Sequence, residues 1–156
     1  MIGSLTKDQI EKVLHRGFIG RIGCSAENKT YIVPVSYVFD DKYIYVHSRE
    51  GMKLQIMRKN PDVCFEVDSI ETMTNWKCVV VWGKFEELDN EVERTKALKI
   101  LNDKLMPYLL SETMRPQTLD QSPHSIEKDN KPVVYRISIT EITGRYEENH
   151  RGNLPQ

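Results

Sequence analysis

Hydrophobic and polar positions change period several times along this chain, and each change marks an element. Near the start, apolar residues recur at helical spacing, with Ile10, Val13 and Leu14 on one stripe. Thr6, with Gln9 three residues on, makes a capping box. Leu5 is placed to staple onto Ile10, and Gly17 to end the helix. From Phe18 the period shortens. FIGRIGCS (18–25), TYIVPVSYVF (30–39) and KYIYVHS (42–48) are short, partly alternating and rich in β-branched and aromatic residues. The turn-forming AENK and DDK between them predict a meander of antiparallel strands.

Residues 51–60 read as a short helix stopped by Pro61, VCFEVD (63–68) as strand, and 69–75 as a polar connection. WKCVVVWGKFEEL (76–88) is the longest strand candidate, and Gly83 inside it marks a bulge or a close approach. Asp89 is placed to cap a helix reaching about Met106, with Val92, Leu98, Ile100, Leu101 and Leu105 as its apolar set. Residues 107–131 hold three of the seven prolines and little periodicity, which predicts a long functional or mobile loop. PVVYRISITEITG (132–144) is the last strand. About six antiparallel strands interrupted by two or three helices, without βαβ alternation, predict a small closed or partly closed barrel. One domain over 1–145 and a polar tail over 146–156 follow.

Composition narrows the function classes. The 22 basic residues nearly balance 23 acidic ones, giving a net charge of -1, so nothing in the composition suggests a nucleic-acid or membrane-surface footprint. No run approaches the roughly 20 apolar residues of a membrane span, and the first residues do not form a signal peptide. Cys24, Cys64 and Cys78 are an odd number set in apolar runs, so reduced, inert thiols in a cytoplasmic protein are expected. No CxxC or HxxxH pair seeds a metal site, and no GxSxG, P-loop or kinase pattern supports hydrolase or phosphotransferase chemistry.

The candidate chemistry gathers at VHSREGMK (46–53), where a strand turns into a helix. A helix start offers orphan N–H groups and a positive dipole end. Gly51 permits close approach, Ser48 offers a hydroxyl, Arg49 and Lys53 offer charge, and His47 can donate from its ring. On residues alone two readings stand: a phosphate seat, or a solvated helix start with two surface cations. His15 reads as a helix-end cation; His124 and His150 have no evident partner. Trp76 and Trp82 alternate with valines and suit either core packing or stacking on a ligand.

The ordered set YIVPVSYVFDDKYIYVHSREGMK, NPDVCFEVD, WKCVVVWGKFEEL and a last strand ending ITG resembles the flavin-binding split-barrel superfamily of pyridoxamine 5′-phosphate oxidase, nearest its 5-nitroimidazole-resistance branch. The resemblance covers residues 5–145. It implies a mainly β fold, a six-stranded antiparallel Greek-key split β-barrel binding FMN at a homodimer interface. It places Pro34, Val35, Ser36 and Tyr37 along the flavin ring, largely through backbone groups. Val46, His47 and Ser48 with Lys53 hold the phosphate, and Trp76, Lys77 and Cys78 border the cofactor, commonly from the other subunit. Two positions depart from the family pattern. Met52 stands where a second basic residue is common, leaving Arg49 to replace it, and Cys78 stands where serine is common. The implied activity is an FMN-dependent oxidoreductase acting on a small-molecule substrate such as a nitro-aromatic, with NAD(P)H as a donor. The alternative is a flavin- or haem-binding carrier or sensor without turnover. No catalytic residue stands out.

Overall fold

A computed structural model describes residues 1–108 and 131–149. In chain order the elements are β1 (Ile2–Ser4), α1 (Lys7–Arg16), β2 (Ile19–Ala26), β3 (Lys29–Ser36), β4 (Val38–Phe39), β5 (Tyr43–Ser48), α2 (Met52–Lys59), β6 (Asp62–Thr72), β7 (Asn75–Glu87), α3 (Glu91–Leu105) and β8 (Val133–Glu148), with a single 3-10 turn at Met106–Tyr108. The strands form one eight-stranded antiparallel sheet in the order β3-β2-β6-β7-β8-β5-β4, with β1 added beside β8.

The expectation of six strands in a closed or partly closed barrel needs two corrections. The sheet is not closed by hydrogen bonds, and it has eight strands. One extra strand is β1, too short to show a period. The other arises because residues 30–39 are not one strand: the run breaks at Tyr37. β3 pairs with β2 up to Ser36↔Ile19, and β4 pairs with β5 through Val38↔Tyr45 and Phe39↔Ile44. The two ends of the sheet are therefore joined by the chain at Tyr37.

Alternation explains the core. Ile22, Phe65, Val67, Val79, Val81 and Tyr135 turn inward and are essentially fully buried, while Arg21, Glu66 and Trp82 point out. A second cluster of Val38, Tyr45, Leu88, Ala97, Leu101 and Val134 lies under α3. No polar or charged side chain is buried among the described residues.

The helix ends show local sequence control. In α1 the Thr6 hydroxyl accepts from the Gln9 N–H and the Gln9 side chain accepts from Thr6, the expected capping box, and Gly17 ends it. In α3 the cap is Asn90, whose side chain accepts from Val92 and Glu93 N–H, instead of Asp89. In the sheet, Gly83 lies at a β7–β8 register shift. A Cβ there would stand 2.3 Å from the Ser138 carbonyl oxygen, so only glycine fits this approach. β6 continues to Thr72 through most of the expected polar connection, and β8 runs to Glu148, into the expected tail. The rest of the tail, with His150, and nearly all of the 107–131 loop, with His124, lie outside the described residues. No described helix is long and apolar enough to cross a membrane.

Candidate functional site

The break at Tyr37 leaves a gap in the sheet, and most of the expected ligand residues stand around it. The Tyr37 N–H donates to the Phe18 carbonyl at 3.1 Å. In an antiparallel ladder hydrogen-bonded pairs alternate, so Val35 and Tyr37 direct their backbone groups toward β2, while Pro34 and Ser36 direct theirs to the open edge of β3. Pro34, which has no N–H to donate, suits such an edge. Continuing the β4–β5 register backward by two residues would bring Ser36 opposite His47, but no pairing forms there. The split thus has Pro34 and Ser36 on one lip and His47 and Ser48 on the other.

The expected residues at these strand ends divide by this geometry. Val35, Tyr37 and Val46 are core side chains; the Tyr37 hydroxyl donates to the Leu14 carbonyl at 2.7 Å, and burial pushes its pKa up. Within 34–37, the backbone groups of Pro34 and Ser36 and the exposed Ser36 side chain remain available for a ligand.

Beside the split, α2 begins without a side-chain cap, unlike α1 and α3. Gly51 is extended, and a Cβ added there would meet nothing within 4 Å, so the approach to the first N–H groups is open. The Nδ1 atom of His47 is buried with no hydrogen-bond partner, and burial lowers the ring's pKa. Lys53 is half-buried and forms no ion pair among the described residues. Burial lowers its pKa, offset in part by the nearby Cys24 thiol. The one carboxylate in the turn, Glu50, is held away. Arg58 donates to both its oxygens at 2.7 and 2.8 Å and also grips Glu87. Ser48 donates to the Arg49 carbonyl, and Met52 is exposed. An uncapped helix end, an unpartnered imidazole and an unpaired ammonium, all within residues 47–53, are groups with the chemistry of an anion site.

Trp76, Lys77 and Cys78 stand elsewhere, at the start of β7. Pro34, Arg21, Glu66 and Val80 form one row across β3, β2, β6 and β7. The 34–36 and 76–78 stretches therefore sit three strand spacings apart, ~14 Å around a curved face. The Trp76 indole donates to Glu147 at 3.0 Å, and Trp76 and Lys77 line a cleft of about 740 Å³ under α1. Neither tryptophan is in the core: Trp82 is 40% exposed on the outer face. Cys78 donates to Glu66 at 3.3 Å, and burial together with the Glu66 carboxylate pushes its pKa up to about 12. Cys24 and Cys64 are also pushed up by burial.

The sequence model of the pyridoxamine 5′-phosphate oxidase family matches residues 6–146. The chain belongs to the pyridoxamine 5′-phosphate oxidase family. An uncharacterised protein of Rhizobium meliloti (strain 1021) is 27% identical over 145 residues, 90% of this chain and 92% of that protein. The crystal structure of an FAD-binding protein from Mesorhizobium loti superposes with a TM-score of 0.76 at 27% identity, covering 95% of this chain and 99% of that one. A candidate 5-nitroimidazole antibiotic resistance protein from Bacteroides thetaiotaomicron shares the fold with a TM-score of 0.67 at 19% identity, covering 94% of this chain and 87% of the other.

In this oxidase-family chain a polar cluster that leaves no local signal in the sequence stands beside Cys78. Arg21 lies 3.1 Å from Asp68 and 3.5 Å from Glu66, joining β2 to β6, and burial raises the Glu66 pKa. Nothing in the sequence pairs strands β2 and β6 in register, and that pairing is what brings Arg21 to Glu66 and Asp68.

Proposed function

We propose that this chain is a flavoprotein that holds FMN in the split, as a homodimer, and serves as an oxidoreductase for small molecules. The observation that carries the reading is the His47 Nδ1 atom, buried and without a partner, four residues before the uncapped N-terminus of α2 at Gly51. A buried polar atom left unsatisfied costs about 1–3 kcal/mol, and a phosphate oxygen is the acceptor that would relieve it. Lys53 and the free N–H groups of α2 then meet a doubly charged ester. The outward backbone of Pro34 and Ser36 faces the ring's polar edge. The family match and the FAD-binding protein of M. loti support a flavin. The single helix-end seat favours the terminal phosphate of FMN.

A flavin supplies hydride and electron transfer, and the protein supplies binding, orientation and field. The donor proposed is NAD(P)H, and the acceptors are small molecules such as nitro-aromatics, on the likeness of fold to the B. thetaiotaomicron protein. The separation described above supports the dimer in this reading, because 34–36 and 76–78 would flank one ring only if they came from two chains. The decisive experiment is to denature the purified protein and identify the released small molecule by mass. FMN supports the reading; FAD, haem or nothing overturns it.

A further inference from the structure

Lys104, in the last turn of α3, is an ammonium held without a carboxylate. Its Nζ donates to the Gly17 carbonyl at 2.6 Å and lies 4.8 Å from the ring centre of Tyr37 and 5.3 Å from that of Phe18. No ion pair accompanies it among the described residues, and burial lowers its pKa. A desolvated cation between ring faces is held by the negative faces of both.

All three groups that Lys104 touches converge on the break in the sheet. Tyr37 is fixed at both ends, its N–H on the Phe18 carbonyl and its hydroxyl on the Leu14 carbonyl. Phe65 meets its ring edge-on at 4.9 Å. Gly17 is wedged against it, since a Cβ there would stand 2.3 Å from the Tyr37 hydroxyl oxygen. Tyr108, just past α3, packs against Phe18 with ring centres 4.3 Å apart and planes tilted by 52°. The peptide joining Ser36 to Tyr37 is thereby clamped: its N–H is bound to Phe18, so its carbonyl, that of Ser36, is aimed at the open edge of β3.

We infer that Lys104 is a positioning residue for ring recognition, locking the Ser36 carbonyl toward the split through Gly17, Phe18 and Tyr37. The inference rests on the proposed flavin site. An imide N–H on the ring's pyrimidine edge is the donor that this carbonyl would accept from. Lys104 touches no ligand; it acts by holding a backbone acceptor still, and so should govern affinity for the ring and not for the phosphate.

The test uses the full chain carrying Lys104→Met, which keeps length and apolar contact but removes charge, and Lys104→Arg, which restores a cation. Amide hydrogen exchange at Tyr37 is measured without ligand, and dissociation constants for FMN and riboflavin by fluorescence titration. Lys104→Met is expected to speed Tyr37 exchange at least tenfold and to weaken FMN and riboflavin by the same factor, about five- to tenfold, with Lys104→Arg recovering most of both. Lys53→Ala should weaken FMN alone. Unchanged Tyr37 exchange in Lys104→Met, or weakening of FMN but not riboflavin, overturns the inference. If Lys104→Met does not fold, Phe18→Leu, which strips one ring face from the ammonium, must give the same pattern in smaller degree. A wild-type chain that binds neither flavin sinks the flavin reading; the exchange result still decides whether Lys104 clamps the break.

Discussion

His47 and Lys53 meet the same cost: each is an ionisable group drawn partly out of water, and burial disfavours the charged form of both. For His47 the sign is plain. The unfolded ring titrates near 6.5, the folded ring lower, so below about pH 6.5 the unfolded chain binds a proton that the folded chain resists. Stability should therefore fall on acidification through that range. Thermal melts at pH 7.5 and 5.5 should show a drop that His47→Gln makes smaller; an equal drop in both would assign it elsewhere. For Lys53, an incoming anion offsets the burial. Lys53→Ala should weaken FMN binding by roughly 1.5–3 kcal/mol in a titration, the range for a hydrogen bond to a charged group. These residue types were legible in the sequence as anion chemistry. Their state was not. That Glu50 is withdrawn by Arg58, and that the Cys78 thiol is committed to Glu66, depend on partners 8 and 12 positions away along the chain.

At the scale of elements, the sequence signals that worked were those acting over a few residues. Thr6 and Gln9 cap α1 as written, Gly51 and Asn60 bound α2, and Gly83 marks a true close approach. Thr6→Ala should cost about 1 kcal/mol in urea unfolding, the usual loss for an N-cap. Gly83→Ala should cost about 1–3 kcal/mol, because a methyl group must displace the β8 backbone. A smaller loss at Gly83 would mean that β8 yields there. The break at Tyr37 was illegible. The run from Thr30 to Phe39 has strand character throughout, and what divides it is Tyr37 reaching Leu14 and Phe18, contacts made across the fold. The site's backbone donors and acceptors depend on that break, so only the folded chain reveals that Pro34 and Ser36 are free while Val35 and Tyr37 are committed.

For the whole molecule, the outer face of β3, β2, β6 and β7 carries the row Ile32, Gly23, Cys64 and Trp82, with Ile19 on the same face four residues along β2 from Gly23. Ile32 is 67% and Ile19 52% exposed. Large apolar side chains grouped on one sheet face mark a contact surface, and the proposed dimer would cover it. Light scattering should give twice the chain mass for the wild type and the single mass for the Ile32→Glu, Trp82→Glu double variant. A wild-type monomer would remove the second wall of the proposed pocket. The break in the sheet bears on the empty protein as well. β3 ends the ladder with bare backbone along one side, a template on which a stray strand of another molecule can build. Pro34 blunts the middle of it, but Ile32 and Ser36 do not. An occupant lying along that margin would also shield it from fibril growth, so colloidal lifetime, and not only turnover, should depend on keeping the berth filled.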